Sequence, residues 1–133
     1  ACVRQLGQRF PLAIASGSLR DEILRILRAE GLTEAFRAVV SADDVTRSKP
    51  APDPYLAAAA QLGVAPANCV AIEDSHWGLD SARTAGMRTI AVTTTSPAAK
   101  LAAADRVLQR VDEITVALVE GVFGMPLPKR NPS

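Results

Sequence analysis

Histidine and cysteine are scarce in this sequence, and their scarcity limits the chemistry it can perform. Of 133 residues, one is a histidine, His76, and two are cysteines, Cys2 and Cys69. These are too few for a disulfide framework or for a zinc site built from histidine and cysteine, and a Ser-His-Asp triad would have to use His76. Any chemistry must therefore depend on carboxylates, hydroxyls and lysine. The low cysteine content also suits a reducing compartment, so we expect a cytoplasmic location.

The sequence also lacks an excess of charge of one sign and any long apolar run. Fifteen Lys and Arg residues against fourteen Asp and Glu give a net charge of +1, so no extended basic surface for nucleic acid or for an anionic membrane is indicated. No apolar run approaches the roughly 20 residues that a membrane-spanning helix needs. We therefore expect neither a nucleic acid nor a membrane as a partner. The length and the 48% of hydrophobic residues suffice for one globular domain.

Short apolar runs alternate with helical patterns along the chain. The apolar runs predict strands at residues 11–16, 38–41, 69–72, 89–93 and 106–108. Apolar residues at helical spacing, with alanine-rich stretches, predict helices at residues 19–30, 53–63, 75–85 and 113–120. Strands that are apolar throughout and separated by helices are typical of a parallel sheet covered on both faces. The sequence therefore predicts an α/β domain with a doubly wound parallel sheet over residues 1–124, and an unstructured proline-rich tail over residues 125–133.

Capping residues and glycines mark the predicted helix ends. Ser18 and Asp21 are expected to form a capping box at the start of the first helix, and Asp112 is expected to cap the last one. Gly63 and Gly86 are expected to end the second and third helices, because glycine readily adopts the left-handed conformation found there.

Polar residues follow the predicted strand ends, where an open parallel sheet binds its ligands. The segments after the first four strands are Ser16-Gly17-Ser18, Asp43-Asp44 with Lys49, Glu73-Asp74, and Thr93-Thr94-Thr95. We interpret the Asp43-Asp44 pair as a solvated turn and the threonine run as a polar loop. The remaining segments supply a hydroxyl, a glycine amide, a lysine and two carboxylates, which together would serve a phosphate and a hard metal ion.

Each of these segments has a chemical and a purely structural interpretation. Ser16 can donate to a phosphate oxygen while the Gly17 and Ser18 amides favour an anion at a helix start, but the same residues can form a simple turn with an N-cap. Lys49 lies in a proline-stiffened loop that could hold its ammonium over a phosphate, although a single loop lysine is more often exposed. Glu73-Asp74 suits Mg²⁺, or merely complements the dipole of the following helix.

Three segments taken together resemble the haloacid dehalogenase superfamily, in its branch of β-phosphoglucomutase-like enzymes and sugar-phosphate phosphatases. The segments are LAIASGS at 12–18, SKPAPDPY at 48–55, and VAIEDS at 70–75 followed by GLDSARTAGM at 78–87. They occur in the order and at the spacing of the family, and the likeness extends over about residues 6–120. The resemblance implies a Rossmann-like core of this superfamily and phosphoryl transfer through an aspartyl-phosphate, with Mg²⁺ as cofactor.

The resemblance also implies a role for each candidate residue. Ser16 and the Gly17 amide would bind phosphoryl oxygens, and Lys49 would pair with both the nucleophile and the phosphate. Asp74, with Glu73 beside it, would hold Mg²⁺ directly or through water. The substrate would be a small phosphorylated metabolite, and a phosphatase or a phosphomutase of the β-phosphoglucomutase type would both fit.

The sequence departs from the family at one decisive point. The family's nucleophile and general acid/base are two aspartates in an Asp-x-Asp-Gly pattern on its first strand, and that pattern does not occur in this sequence. We therefore expect the chain to be the C-terminal core portion of a longer enzyme, without the first strand and the helical cap, and inactive by itself. Because two inner strand edges would lose their hydrogen-bond partner, we expect self-association or pairing with the missing N-terminal segment.

Other classes of protein fit the sequence less well. A non-catalytic domain that keeps the phosphate and Mg²⁺ rim is the main alternative. A phosphorylation receiver domain needs an isolated acceptor aspartate, which Glu73-Asp74 does not provide. A nucleotide-binding Rossmann domain would carry a GxGxxG after a strand, and none is present.

Overall fold

The computed structural model describes residues 2–128, which form α-helices and short parallel strands in alternation. The strands are β1 (Ala13–Ala15), β2 (Ala38–Val40), β3 (Val70–Glu73), β4 (Arg88–Val92) and β5 (Arg106–Leu108). The helices are α1 (Cys2–Arg9), α2 (Arg20–Ala29), α3 (Asp53–Leu62), α4 (His76–Thr84) and α5 (Val116–Phe123). Within the described range, no helix has both the length and the apolar character that a membrane span requires.

The strands divide into two parallel sheets. β1 pairs with β2, placing Ile14 opposite Val39, and β4 lies between β3 and β5, with Ile90 opposite Ile72. Among residues 2–128, β1 and β3 share no ladder and no strand lies between them. The predicted α/β class with parallel strands is confirmed, and the β1 and β3 edges border a gap between the two sheets.

The core is centred on β4, which packs between helices. Ile90 and Ala91 are fully buried, because β4 is apolar on both faces. One face of β4 packs against α1 and α5, whose core residues include Leu6, Val119 and Val122. A second cluster joins α3 to α4 through small side chains and one aromatic ring, with the members Tyr55, Ala59, Ala71, Ala82, Ala85 and Met87. α3 also packs against β1 and β2, so it connects the small sheet to the rest of the core.

Glycines end two helices as predicted. Gly63 has a φ of 70° directly after α3, and Gly86 has a φ of 89° two residues after α4. The left-handed conformation is inexpensive for glycine because it has no Cβ. The N-cap of α4 is Ser75, whose side chain accepts a hydrogen bond from the Gly78 amide at 3.1 Å.

Two predicted helix caps are wrong. The N-cap of α2 is Leu19, with no side-chain hydrogen bond, and the Ser18 amide donates instead to Ser16 Oγ at 3.0 Å. The last helix begins later than predicted: Val111–Glu113 forms a separate 3-10 turn, and Thr115 caps α5 by accepting from the Leu118 amide. The N-cap position is thus taken by the apolar Leu19 in α2 and by the hydroxyl-bearing Thr115 in α5. In both cases the turn before the helix fixes the residue at which the helix can begin.

The predicted tail begins at Met125, which packs against the core beside β4. The Met125 carbonyl accepts a hydrogen bond from Arg88 Nε at 2.7 Å. Residues 129–133 lie outside the described residues.

Candidate active site

The predicted site residues lie around one cavity between the two sheets. This cavity has a volume of about 590 Å³ and is bordered by β1, β3 and α3. Its lining includes all of the predicted site residues: Ser16, Gly17, Lys49, Glu73 and Asp74. They converge because the carboxyl ends of parallel strands meet at the same edge.

Lys49 connects the ends of β1 and β3 across this cavity. Its ammonium donates to the Ala15 carbonyl at 3.0 Å and forms an ion pair with Glu73 Oε1. The ammonium also lies 5.0 Å from the centroid of the Tyr55 ring. At this distance the π-face of the ring attracts the positive charge. The Lys49 side chain is 16% exposed, so it is not a solvated loop lysine.

Glu73 is the buried centre of the site. Its side chain is 6% exposed, and Oε1 accepts hydrogen bonds from Lys49 and from the Tyr55 hydroxyl, the latter at 2.5 Å. The second oxygen, Oε2, accepts from Ser75 Oγ and from the Asp74 amide, both at 3.3 Å. A charge that is removed from water needs such partners, and Glu73 has them on both oxygens.

Tyr55 is a residue of the site that the sequence analysis did not identify. The residue closes the SKPAPDPY segment, but a tyrosine in the first turn of an alanine-rich helix gives no signal beyond core packing. Burial, and then the negative charge of Glu73, raise the pKa of the Tyr55 hydroxyl. The hydroxyl is therefore protonated and donates its hydrogen to the carboxylate.

Gly78 makes room for the buried carboxylate. It lies in the first turn of α4, directly against Glu73, and a Cβ built at this position would overlap the Glu73 carboxylate. Glycine is therefore required at this position because the Glu73 carboxylate lies too close for a side chain. Its backbone does not adopt the left-handed conformation.

Asp74 follows Glu73 in sequence but faces solvent. It accepts a hydrogen bond from Thr95 Oγ1 at 2.7 Å, which joins the ends of β3 and β4. The sequence interpretation of the threonine run as a polar loop does not include this contact. Successive residues of an extended segment point in opposite directions, so one carboxylate of the pair is buried and the other is accessible.

The donor chemistry of this rim suits Mg²⁺. Within residues 2–128, no cluster of three or more His, Cys, Asp or Glu side chains forms a candidate metal site. Magnesium, however, binds through one or two carboxylates together with water and substrate phosphates. Asp74 is the accessible carboxylate and fits a direct ligand, while Glu73 is already held by Lys49 and Tyr55.

The Ser16 turn offers a hydroxyl at the end of β1. Its own amide donates to the Val40 carbonyl at 3.0 Å, which fixes the turn to β2. Ser16 Oγ accepts from the Ser18 amide, and the hydroxyl hydrogen is then directed away from that contact. Because α2 begins only at Arg20, the Ser18 amide serves the turn rather than an anion at a helix start.

A second carboxylate network holds the other end of this turn. Asp44 Oδ2 accepts from the Ser41 amide and the Ser41 hydroxyl, both at 2.8 Å, and from Arg20 at 2.6 Å. Arg20 also donates to the Val39 carbonyl at 2.9 Å. The hydrogen bonds from Ser41, more than the arginine, lower the pKa of Asp44. Asp44 is therefore not merely part of a solvated turn, because it ties the start of α2 to the end of β2.

Residues 2–92 match the sequence model of the family described as haloacid dehalogenase-like hydrolase. This match covers more than half of the chain. The chain belongs to this family. The resemblance based on the three sequence segments is therefore confirmed, and the rim residues described above lie within or directly beside the matched range.

A phosphatase and a phosphomutase are among the relatives of this chain. It is 43% identical over 84 residues to fructose-1-phosphate phosphatase YqaB from Escherichia coli, covering 63% of this chain and 45% of the relative. It is 36% identical over 112 residues to beta-phosphoglucomutase from Bacillus subtilis, covering 84% of this chain and 47% of the relative. The chain thus spans about half the length of the curated relatives it matches.

Solved structures give the same relationship. The crystal structure of CbbY from Rhodobacter sphaeroides in complex with phosphate superimposes with a TM-score of 0.77 at 30% sequence identity. The superposition covers 88% of this hydrolase-family chain and 54% of CbbY. The α/β arrangement with parallel strands is therefore that of the family core.

Proposed function

We propose that this chain forms the core of a Mg²⁺-dependent phosphatase that acts on small phosphomonoesters such as sugar phosphates. The observation that carries the proposal is the convergence of Ser16, Lys49 and Glu73-Asp74 on one cavity at the carboxyl ends of β1 and β3. A hydroxyl, an ammonium and a carboxylate pair are the groups that a phosphate with a hard cation requires. The named phosphatase and phosphomutase relatives support the same class of substrate.

The residues of this chain bind and orient the phosphate. The Ser16 hydroxyl and the Gly17 amide bind phosphoryl oxygens, and Lys49 neutralises their charge from the position set by the Ala15 carbonyl and Glu73. Asp74, with Glu73 beside it, holds Mg²⁺ directly or through water. When bound, the ion supplies further neutralisation of negative charge on the transferring group.

The nucleophile is the missing part of this machinery. Phosphoryl transfer in the family uses an aspartate of an Asp-x-Asp-Gly strand, and this sequence has no such pattern. We place that aspartate on a segment outside these residues, paired between β1 and β3. Such a strand, running parallel to both, would end beside Lys49.

The gap between the sheets supports this placement. In the described residues, β1 is paired on the β2 side and β3 on the β4 side, which leaves backbone groups along both facing edges. The space is lined with apolar side chains that include Leu12, Ile14, Val70 and Ile72. An extended segment would satisfy the backbone groups and bury the apolar lining together. A second copy of the chain is the other occupant of the same edges.

The test compares the 133-residue chain with the product of the complete reading frame that contains it. Release of inorganic phosphate from a set of sugar phosphates is measured with and without Mg²⁺. We expect Mg²⁺-dependent release by the longer product, its loss in Lys49→Ala, and no turnover by the shorter chain. Clear turnover by the pure shorter chain, abolished by Lys49→Ala, would overturn the placement of the nucleophile.

A phosphomutase is the second candidate, because the likeness to beta-phosphoglucomutase covers 84% of this chain. A hexose 1-phosphate distinguishes the two activities. A mutase converts it to the 6-phosphate without net release of inorganic phosphate, whereas a phosphatase releases phosphate. Binding of phosphate and Mg²⁺ by the longer product with neither reaction would indicate a non-catalytic domain.

A further inference from the structure

Tyr55 contacts both members of the buried ion pair. Its ring lies in the core with Ala59, Ala71 and Met87, and the residue is 8% exposed. Its hydroxyl reaches Glu73 Oε1 at 2.5 Å, and its ring lies 5.0 Å from the Lys49 ammonium. The ring makes the packing contacts, and the hydroxyl makes a separate contact with Glu73.

The hydroxyl and the ammonium share one carboxylate oxygen. Glu73 Oε1 accepts from both Tyr55 and Lys49, while Oε2 faces Ser75 and the Asp74 amide at the longer distance of 3.3 Å. Rotation of the carboxylate would therefore break the Tyr55 hydrogen bond together with the lysine contact. The hydroxyl fixes the orientation of the oxygen that holds Lys49.

We propose that Tyr55 is a positioning residue, which orients Glu73 and thereby places the Lys49 ammonium at the rim of the cavity. The consequence for phosphate rests on the proposed function, in which Lys49 binds the phosphoryl group. The placement of Lys49 does not rest on the proposed function, because Tyr55 contacts both Glu73 and Lys49 directly.

The composition of the chain makes this placement measurable. The sequence contains one tyrosine and three lysines, Lys49, Lys100 and Lys129. Labelling the lysine ε-carbon should therefore give three NMR signals in the 133-residue chain. We expect the Tyr55 ring to shift the Lys49 signal, because the ammonium lies over the ring. Substituting each lysine in turn by arginine assigns the three signals.

The decisive variant is Tyr55→Phe, which keeps the ring and removes the hydroxyl. We expect the Lys49 ε-carbon signal to move towards that of the exposed Lys100, and inorganic phosphate to bind roughly tenfold more weakly, because a hydrogen bond to a charged group is lost. Thr89→Val is the matched control. It removes another buried hydroxyl that contacts a carboxylate, that of Asp105 at 3.4 Å, and should leave the Lys49 signal and phosphate binding unchanged.

An unchanged Lys49 signal in a folded Tyr55→Phe variant would overturn the proposal, whatever happens to phosphate binding. If the wild-type chain does not bind phosphate but its Lys49 signal moves in the variant, the positioning role stands and the proposed phosphate site is wrong. A second measurement needs no variant. The hydroxyl proton of the sole tyrosine should give a downfield NMR signal protected from exchange with water, and a rapidly exchanging hydroxyl would contradict the proposal.

Discussion

Two carboxylates hold the ends of β2 and β3, and they differ chiefly in burial. On the β2 side, Asp44 accepts from Ser41 and Arg20, and the side chains of the Arg20–Asp44 pair are 40% and 28% exposed. On the β3 side, Glu73 accepts from Lys49 and Tyr55, with the Lys49 and Glu73 side chains 16% and 6% exposed. Exposed ion pairs contribute about 0–1 kcal/mol, whereas removing one partner of a buried pair costs about 3–5 kcal/mol.

The difference shows where the site is sensitive to substitution. Both networks connect the end of a strand to a neighbouring element, but water can replace the partners of Asp44. The partners of Glu73 cannot be replaced in this way, because the cavity wall and α4 enclose the carboxylate. The β3 side should therefore dominate the response to mutation.

The largest effect is expected for Lys49→Ala. The substitution leaves the Glu73 carboxylate buried without its countercharge, so the free energy of unfolding should fall by about 3–5 kcal/mol. Urea-induced unfolding followed by circular dichroism measures the loss. Lys100→Ala, at an exposed position, is the control and should change stability by less than about 0.5 kcal/mol. Equal losses in the two variants would remove the contrast between buried and exposed networks.

A smaller effect is expected for Gly78→Ala. The added methyl group meets the Glu73 carboxylate, which Lys49 and Tyr55 hold in place, so we expect a loss of about 1–3 kcal/mol through overpacking. Gly121→Ala in α5 is the matched control, because a Cβ there meets no atom within 4 Å. It should instead stabilise the protein by up to about 1 kcal/mol, since alanine favours the helix. The two thermal unfolding midpoints should move in opposite directions.

The smallest effect is expected for Asp44→Asn on the exposed side. Folding lowers the pKa of Asp44, so its carboxylate contributes stability above its ordinary pKa of 3.8, and this contribution is lost as the pH falls through the lower folded-state value. Unfolding measured from pH 7 down to acid should show a shallower decline in the variant than in the wild type. Ser41→Ala should reduce the pH dependence in the same direction, because Ser41 supplies a hydrogen bond to Asp44. A steeper decline in either variant would contradict this assignment.

Much of the fold followed from local pattern. The apolar runs located all of β1 to β5 to within about two residues, a normal margin for element ends. The segments that resemble the family also located the rim residues, because parallel strands deliver their carboxyl ends to one edge. The misplaced caps at Ser18 and Asp112 show the limit. Several polar residues near a helix start can each serve as a cap, and the turn that precedes the helix selects among them.

The sequence by itself determined the fold class, the succession of strands and helices along the chain, and the residue types at the rim. These features depend on local apolar patterns and short motifs. Only the tertiary structure decided which carboxylate of Glu73-Asp74 is buried and which faces solvent. It also brought Tyr55 and Gly78 to Glu73, from α3 and α4. These outcomes depend on the packing of helices against strand ends, where residues distant in sequence compete for one enclosed space that no local pattern specifies.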